Sequence, residues 1–253
     1  NIGYTYPNPL VGSVIVCDNK IIGEGSHSKY GESHAEVNAI NNVKDKRLLK
    51  NSTLYVNLEP CNHYGKTPPC TEAIINNNIK KVVIGSQDPN KIVNGSGIEK
   101  LRSSGCNVSV GIMGKECDKL NKRFFTYHKL KRPFIILKWA ETKDGFISPI
   151  KSFNTLKKVN WISGEDAKKL SHKWRSEEHS ILVGVQTIID DDPVLTTRFV
   201  KGRSPIRFVL DPNSRIPLDS RILSDSVKTT ILSKKENKLI PNYTKAVEFD
   251  DIN

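Results

Sequence analysis

Short apolar runs rich in valine and isoleucine alternate along this chain with stretches whose apolar residues recur at helical spacing. No other feature constrains the fold as much, because strand–helix alternation is satisfied by a layered α/β architecture with a largely parallel sheet. "GSVIVCDNKIIGEG" reads as a hairpin around an Asp-Asn turn, "SHAEVNAINNV" as a helix, "TLYVNL" as a strand and "CTEAIINNN" as a helix beginning near Cys70. A strand at "KKVVIGS", a helix closed by Gly105, a strand at "CNVSVGI" and one helix over "KECDKLNKRFFTYH" follow. The charged, proline-ended "KLKRP" marks a boundary, so residues 1–128 and 133–253 are expected to be separate domains. In the second, "FIILKWAETKDGFIS" predicts a long apolar strand entering an Asp-Gly turn, and "PIKSFNTLKKV" a polar loop. A helix capped by Ser163 comes next, then a strand, a short helix and an acidic turn over "SILVGVQTIIDDDPVLTTR", and one more strand at "IRFVLDP".

Composition narrows the function classes. Net charge is +12, but the excess is shared, +5 through His128 and +7 beyond it, with no basic tract. Aromatic residues make up 7% and do not interleave with the basic ones, so no nucleic-acid partner is expected. A mildly basic surface suits small anionic, phosphorylated molecules. Without a long apolar run no membrane partner is expected, and without a signal pattern the expected compartment is the cytoplasm. The first residue is Asn rather than Met, so the N-terminus is expected to be incomplete or renumbered. Five cysteines, an odd number in a chain of 253 residues, do not make a disulfide framework.

Two of those cysteines have distinctive company. "HAE" at residues 34–36 precedes "EPCNHYGKTPPC" at 59–70. Catalytic zinc needs three protein ligands and one open position, and His34, Cys61 and Cys70 supply one imidazole and two thiolates. Glu36 as a fourth ligand would close such a site, so it is free to relay protons. His34 and Glu36 can serve one centre because they fall in the first turn of a helix, where side chains lean back past its end. Histidine, glutamate and two Pro-preceded cysteines in this order form the zinc-deaminase signature, in which activated water attacks an amidine-like ring carbon and ammonia leaves. The competing reading, a structural zinc site closed by His63, gives Glu36 no task. A zinc deaminase of another base is the other enzyme alternative.

"NPLVGSVIV", "HSKYGESHAEVNAI" and "LEPCNHYGKTPPCTEAII" together resemble the deaminase half of the bifunctional deaminase–reductase family of riboflavin biosynthesis. "RPFIILKWAETKDGFIS", "WISGEDA", "SILVGVQTIIDDDPVLTTR" and "PIRFVLDP" resemble its reductase half. The resemblance implies a cytidine-deaminase-like α/β/α domain followed by a dihydrofolate-reductase-like α/β domain. It also implies Zn2+, NADPH, a phosphorylated pyrimidine substrate and a homo-oligomer. Carried over by motif, Asn8, His27, His63, Lys66 and Thr67 bind the deaminase substrate. Ala140, Trp161, Thr187 and Asp191 fall at NADP-contacting positions, and Lys138, Arg175, Leu195 and Arg198 at the reductase substrate. The family's reductase continues into a Glu-Gly-Gly-type segment not found in these residues, so the reductase domain is expected to be incomplete, impaired or completed by a partner.

Overall fold

The computed structural model describes residues 2–148 and 161–234 with their side chains, and the backbone of 244–248. The chain divides into two compact units, Asn1–Ile136 and Leu137–Asn253. In the first, β1 (Gly12–Cys17) and β2 (Lys20–Ser26) form the expected hairpin. Asp18 and Asn19 both take positive φ in its two-residue turn, the conformation whose twist matches antiparallel strands. β3 (Thr53–Leu58) pairs antiparallel with β1, and β4 (Lys81–Ser86) and β5 (Asn107–Val110) continue the sheet in parallel, giving the order β2-β1-β3-β4-β5.

Helices cover both faces of this sheet. Val82 and Ile84 of β4 share one buried cluster with Ala39 and Ile40 of α1 (Ala35–Asn42), Ile74 of α2 (Cys70–Asn76) and Leu101 of α3 (Ser96–Ser103). Gly85 points the opposite way, and a Cβ there would lie 2.3 Å from the Cys117 sulfur of α4 (Gly114–Leu120). Close approach fixes the height of α1 as well: a Cβ on Gly25 would stand 2.3 Å from Ala39 N and 2.5 Å from Ala35 O. The start of α1, and with it "HAE", is thereby seated on β2.

The sequence predicts one helix over residues 115–128, but the structure has two, α4 and α5 (Lys122–Leu130), broken at Asn121. The buried Asn121 amide is spent elsewhere, accepting Leu10 N–H at 2.8 Å and donating to Leu10 O at 2.9 Å. Asn57 on β3 braces the same stretch through Leu10 O and Gly12 N–H.

In the second unit, α6 (Glu165–Glu177), β6 (Ser180–Gly184), α7 (Val185–Asp191), β7 (Ile206–Leu210), β8 (Thr229–Ser233) and β9 (Thr244–Glu248) build a parallel four-stranded sheet in the order β6-β7-β8-β9. Two expectations fail here. Gly164, not Ser163, is the N-cap of α6, and no side chain caps it. The strand expected over "FIILKWA" is absent: residues 133–142 form no ladder, and Leu137 and Trp139 are 78% and 64% exposed. Strand propensity becomes a strand only where a neighbour pairs the backbone groups, and no described residue does so here. The polar loop expected at 149–159 lies outside the described residues.

Candidate metal centre and anion cluster

Three element ends meet in the first unit. His34 is the N-cap of α1 with extended backbone (φ −75°, ψ 164°) and no capping hydrogen bond, so its ring is free to turn elsewhere. Cys61 follows the end of β3, and Cys70 opens α2. His34 Nδ1 lies 3.2 Å from Cys70 Sγ and 3.4 Å from Cys61 Sγ, and the three donor atoms all fall within 4.8 Å of one another. Tetrahedral zinc holds N and S donors about 3.5–3.8 Å apart, so the donors stand within a few tenths of an ångström of ligating spacing. The electrostatics fit too. The Cys70 thiol donates toward Cys61 and, with help from His34, drives the Cys61 thiol down to about 4 despite burial. Cys70 is pushed up in return, by that bond, by burial and by Glu36. Two adjacent sulfurs can both ionise only with a cation between them.

Glu36 sits in the first turn of α1, 3% exposed. Burial pushes its carboxyl up to about 7; the Cys61 sulfur adds to the rise while its own backbone N–H, His34 and the Cys70 thiol oppose it.

The ten-residue span from Cys61 to Cys70 leaves the metal cluster and returns. Thr71 ties its two ends together, N–H to Cys61 O at 3.2 Å and hydroxyl to Asn62 Oδ1 at 3.0 Å. Tyr64 donates to the Glu72 carboxylate, and the Lys66 ammonium lies 4.1 Å above the Tyr30 ring. The insertion is therefore laid against the segment that carries His27. Asn8 and His27 are brought together at 3.1 Å, and the His27 ring meets the His34 ring edge-on at 5.3 Å. His27 Nδ1 faces Ser33 O at 3.2 Å, so it carries the proton, and Nε2 accepts from the Asn8 amide. His63 and Lys66 are exposed and Thr67 is half-buried.

Sequence reasoning passed over two acids beside the cluster. The buried Glu59, immediately before Pro60-Cys61, accepts backbone N–H groups of Asp88, Gly95, Gly97 and Ile98 at 3.0–3.3 Å. It anchors the β4–α3 loop against the metal ligands, and Gly97 is required there because a Cβ would lie 2.0 Å from Pro60 O. Asp88 on that loop is pushed up to about 6, by burial first, with Glu59 and Cys61 adding. A glutamate wedged between a strand and a Pro-Cys ligand was the available signal.

In the second unit Arg175, Leu195 and Arg198 come together. Arg175 Nη1 donates to Thr196 O, and Arg198 Nη1 to Thr196 Oγ1, each at 3.2 Å. Leu195 is buried with a left-handed φ of 59°. Burial, then the Arg198 charge, holds Arg175 below its usual range. The loop is pinned from beneath by Arg207, fully buried on β7, which donates to Val194 O at 2.8 Å, to Ile222 O and Val227 O, and to both Asp225 oxygens. Lys138, Ala140, Trp161, Thr187 and Asp191 make no hydrogen bond to this cluster among the described residues; Trp161 stacks instead under Lys168, 4.0 Å away.

A family model described as the cytidine and deoxycytidylate deaminase zinc-binding region matches residues 1–86, and one described as the RibD C-terminal domain matches residues 133–248. Fold, site and matches define the class: a zinc-binding deaminase domain followed by a dihydrofolate-reductase-like α/β domain. Within that class, the chain belongs to the RibD family of riboflavin biosynthesis proteins. RibD of Aquifex aeolicus is 46% identical over 238 residues, 93% of this chain and 65% of that protein. A Buchnera aphidicola diaminohydroxyphosphoribosylamino-pyrimidine deaminase is 57% identical over 121 residues, 48% of this chain and 81% of that protein. The crystal structure of a Thermotoga maritima diaminohydroxyphosphoribosylaminopyrimidine deaminase/5-amino-6-(5-phosphoribosylamino)uracil reductase matches with a TM-score of 0.88 at 38% identity, covering 98% of this chain and 70% of that one. The chain thus spans between 57% and 65% of the length of the first RibD relatives it matches. Among the described residues no helix is long and apolar enough to cross a membrane.

Proposed function

We propose that residues 1–128 deaminate a phosphorylated 2,5-diamino-6-ribosylamino-pyrimidinone to the corresponding uracil, and that residues 133–253 serve the NADPH-dependent reduction of its ribosyl group to ribityl. The observation that carries the first half is the convergence of His34, Cys61 and Cys70 with a buried Glu36 beside them. Zinc, held by those three side chains, supplies the positive charge that makes water nucleophilic at neutral pH. Glu36 takes the proton that water loses and delivers it to the departing amine. Asn8, oriented by His27, presents its amide to the pyrimidinone edge. Lys66, with His63 and Thr67 on the same loop, meets the phosphate or ribose end.

In the second unit, Arg175 and Arg198 clamp the substrate phosphate beside Leu195, with Lys138 toward the sugar carbonyl. NADPH supplies the hydride when bound, and Ala140, Trp161, Thr187 and Asp191 line its place. The compartment is the cytoplasm and the assembly a homo-oligomer of this chain. A second reading, deaminase alone, is favoured by the 57% identity to a relative named for that activity only.

Incubation with the diamino substrate, without and then with NADPH, tests the proposal. The uracil product is expected in both, and the ribityl product with NADPH. Absence of the uracil product overturns the deaminase assignment; its appearance without any ribityl product selects the second reading. Glu36→Gln is expected to keep one zinc per chain and lose deamination by at least about a thousandfold. Full activity in that variant excludes the proton relay.

A further inference from the structure

His172 lies one turn before Arg175 on α6, on the same helix face and 4% exposed, and neither the motif nor the resemblance gives it a role. Its Nδ1 accepts the backbone N–H of Arg198 at 2.9 Å. A backbone N–H can only donate, so Nδ1 carries the lone pair. Burial, then the charges of Arg175 and Arg198, push the ring down to about 4, which keeps it neutral near pH 7. A neutral imidazole with its lone pair on Nδ1 carries its proton on Nε2.

Among the described residues that proton has no acceptor. Nε2 faces Arg175 Nη1 at 3.4 Å, and a guanidinium nitrogen is itself a donor only. Two donors this close do not bond to each other; they converge on a position where an acceptor would satisfy both. A buried donor left unmet is costly, so the arrangement is stabilised by an acceptor that binds there. Thr196 holds both guanidiniums through neutral oxygens, and among the described residues neither meets a carboxylate. Phe199 closes one side of the imidazole, its ring 4.6 Å away.

We infer that His172 is the third donor of an oxyanion pocket, presenting Nε2–H beside Arg175 and Arg198 to a phosphate monoester. The inference rests on the reading of the two arginines as a phosphate clamp. Two fixed positive charges and one neutral donor match a dianion with three terminal oxygens, whereas a third cation would overcompensate it. His172 also sets the spacing of the clamp, because the same ring tethers the Arg198 backbone to α6.

Two variants separate donor from tether. In His172→Asn the amide oxygen takes the place of Nδ1 and keeps the tether, while the Nε2 donor disappears. In His172→Gln the amide nitrogen reaches the Nε2 position and the tether is lost. Inorganic phosphate and ribose 5-phosphate are titrated calorimetrically onto the full 253-residue chain. His172→Asn is expected to bind both at least about tenfold more weakly than the parent, in keeping with a charge-assisted hydrogen bond. Parent affinity in His172→Asn with weakened binding in His172→Gln means that the ring is only a tether, and overturns the inference. Ring 15N spectra of the parent give a readout that needs no variant: Nε2 is expected to be the protonated nitrogen and to shift on phosphate addition. A proton on Nδ1 overturns it as well. If the parent binds neither probe, the clamp reading falls together with the inference; if Arg198→Ala abolishes binding and His172→Asn does not, the clamp stands and His172 is removed from it.

Discussion

The two units each gather three donors around a point, one histidine in each, and the points have opposite electrostatic needs. In the first, two sulfurs and His34 converge where a cation belongs. In the second, two guanidiniums and His172 converge where an anion belongs. An imidazole serves either purpose according to which nitrogen carries its proton. His34 turns Nδ1 toward the sulfurs, and His172 spends Nδ1 on a backbone N–H so that Nε2–H faces the guanidinium. Removing a member of each cluster is therefore expected to have independent effects. Cys70→Ala has the largest: zinc content falls from one per chain toward zero and deamination by more than about a thousandfold, while phosphate binding to the second unit stays at the parent level. Metal analysis and phosphate calorimetry on the same preparation check this, and a parallel loss of phosphate binding breaks the independence.

The two clusters were not equally legible. His34, Glu36, Cys61 and Cys70 could be read directly because each stands at or near an element end that its neighbours announce: proline before each cysteine, apolar periodicity beginning at Ala35. Soft ligands are rare enough that their spacing is informative. The support beneath them was less visible. Asn121 looks like an ordinary helical residue until its amide is found closing on Leu10, 111 positions earlier in the chain. In the second unit, Arg175 and Arg198 were placed by resemblance. What joins them, a buried arginine on β7 and a histidine on α6, has no local signature, since a charged residue inside a strand reads as an edge position until its five partners are seen. "FIILKWA" teaches the converse: local preference names a strand, but pairing makes one.

Arg207 carries the next largest effect. Arg207→Met leaves Asp225 without its ion-pair partner and Val194 O without its guanidinium donor, while Thr229 Oγ1 still reaches Ile222 O and Val227 O. For a pair buried on the arginine side the loss is about 3 kcal/mol. All three tryptophans, Trp139, Trp161 and Trp174, belong to the second unit, so their fluorescence follows its unfolding alone. The denaturation midpoint read this way is expected to drop sharply while zinc content holds. An unmoved midpoint means that the Arg207 network is not what holds the Val194–Arg198 loop.

A smaller effect is expected at the rim of the first cluster. Lys66→Ala removes one exposed cation and its contact with Tyr30 and touches none of the three metal-binding side chains, so zinc is expected to stay in place. KM for the phosphorylated substrate should rise about tenfold with kcat within a factor of about three, as for a lost ion-assisted contact. Equal loss of zinc makes the loop a structural brace instead.

The smallest effect concerns protons and sharpens the contrast between the two histidines. His172 titrates at about 4 in the folded unit, below the value of 6.5 that it has when free. Between those values the unfolded chain holds a proton that the folded one excludes, so protonation drives unfolding. The stabilisation is whole above about pH 6.5 and is lost as the pH falls through 4, about 1–2 kcal/mol of it by pH 5. His179 is depressed in the same direction, by burial and then by Arg203, and adds a slope of the same sign. Asp225, which burial alone would raise, is held low by Arg207 and the Val227 N–H. Its contribution therefore persists above the ordinary carboxylate range and fades only below about pH 3.8, outside this window. The charged groups facing His172 are the guanidiniums of Arg175 and Arg198. Tryptophan-detected melting should thus fall by a few degrees from pH 7 to pH 5, and His172→Asn, which cannot titrate, should flatten part of that slope and leave the remainder to His179. An unchanged slope in that variant would mean that the buried imidazole is not the group that excludes the proton, and the Nε2–H assignment would lose its electrostatic support.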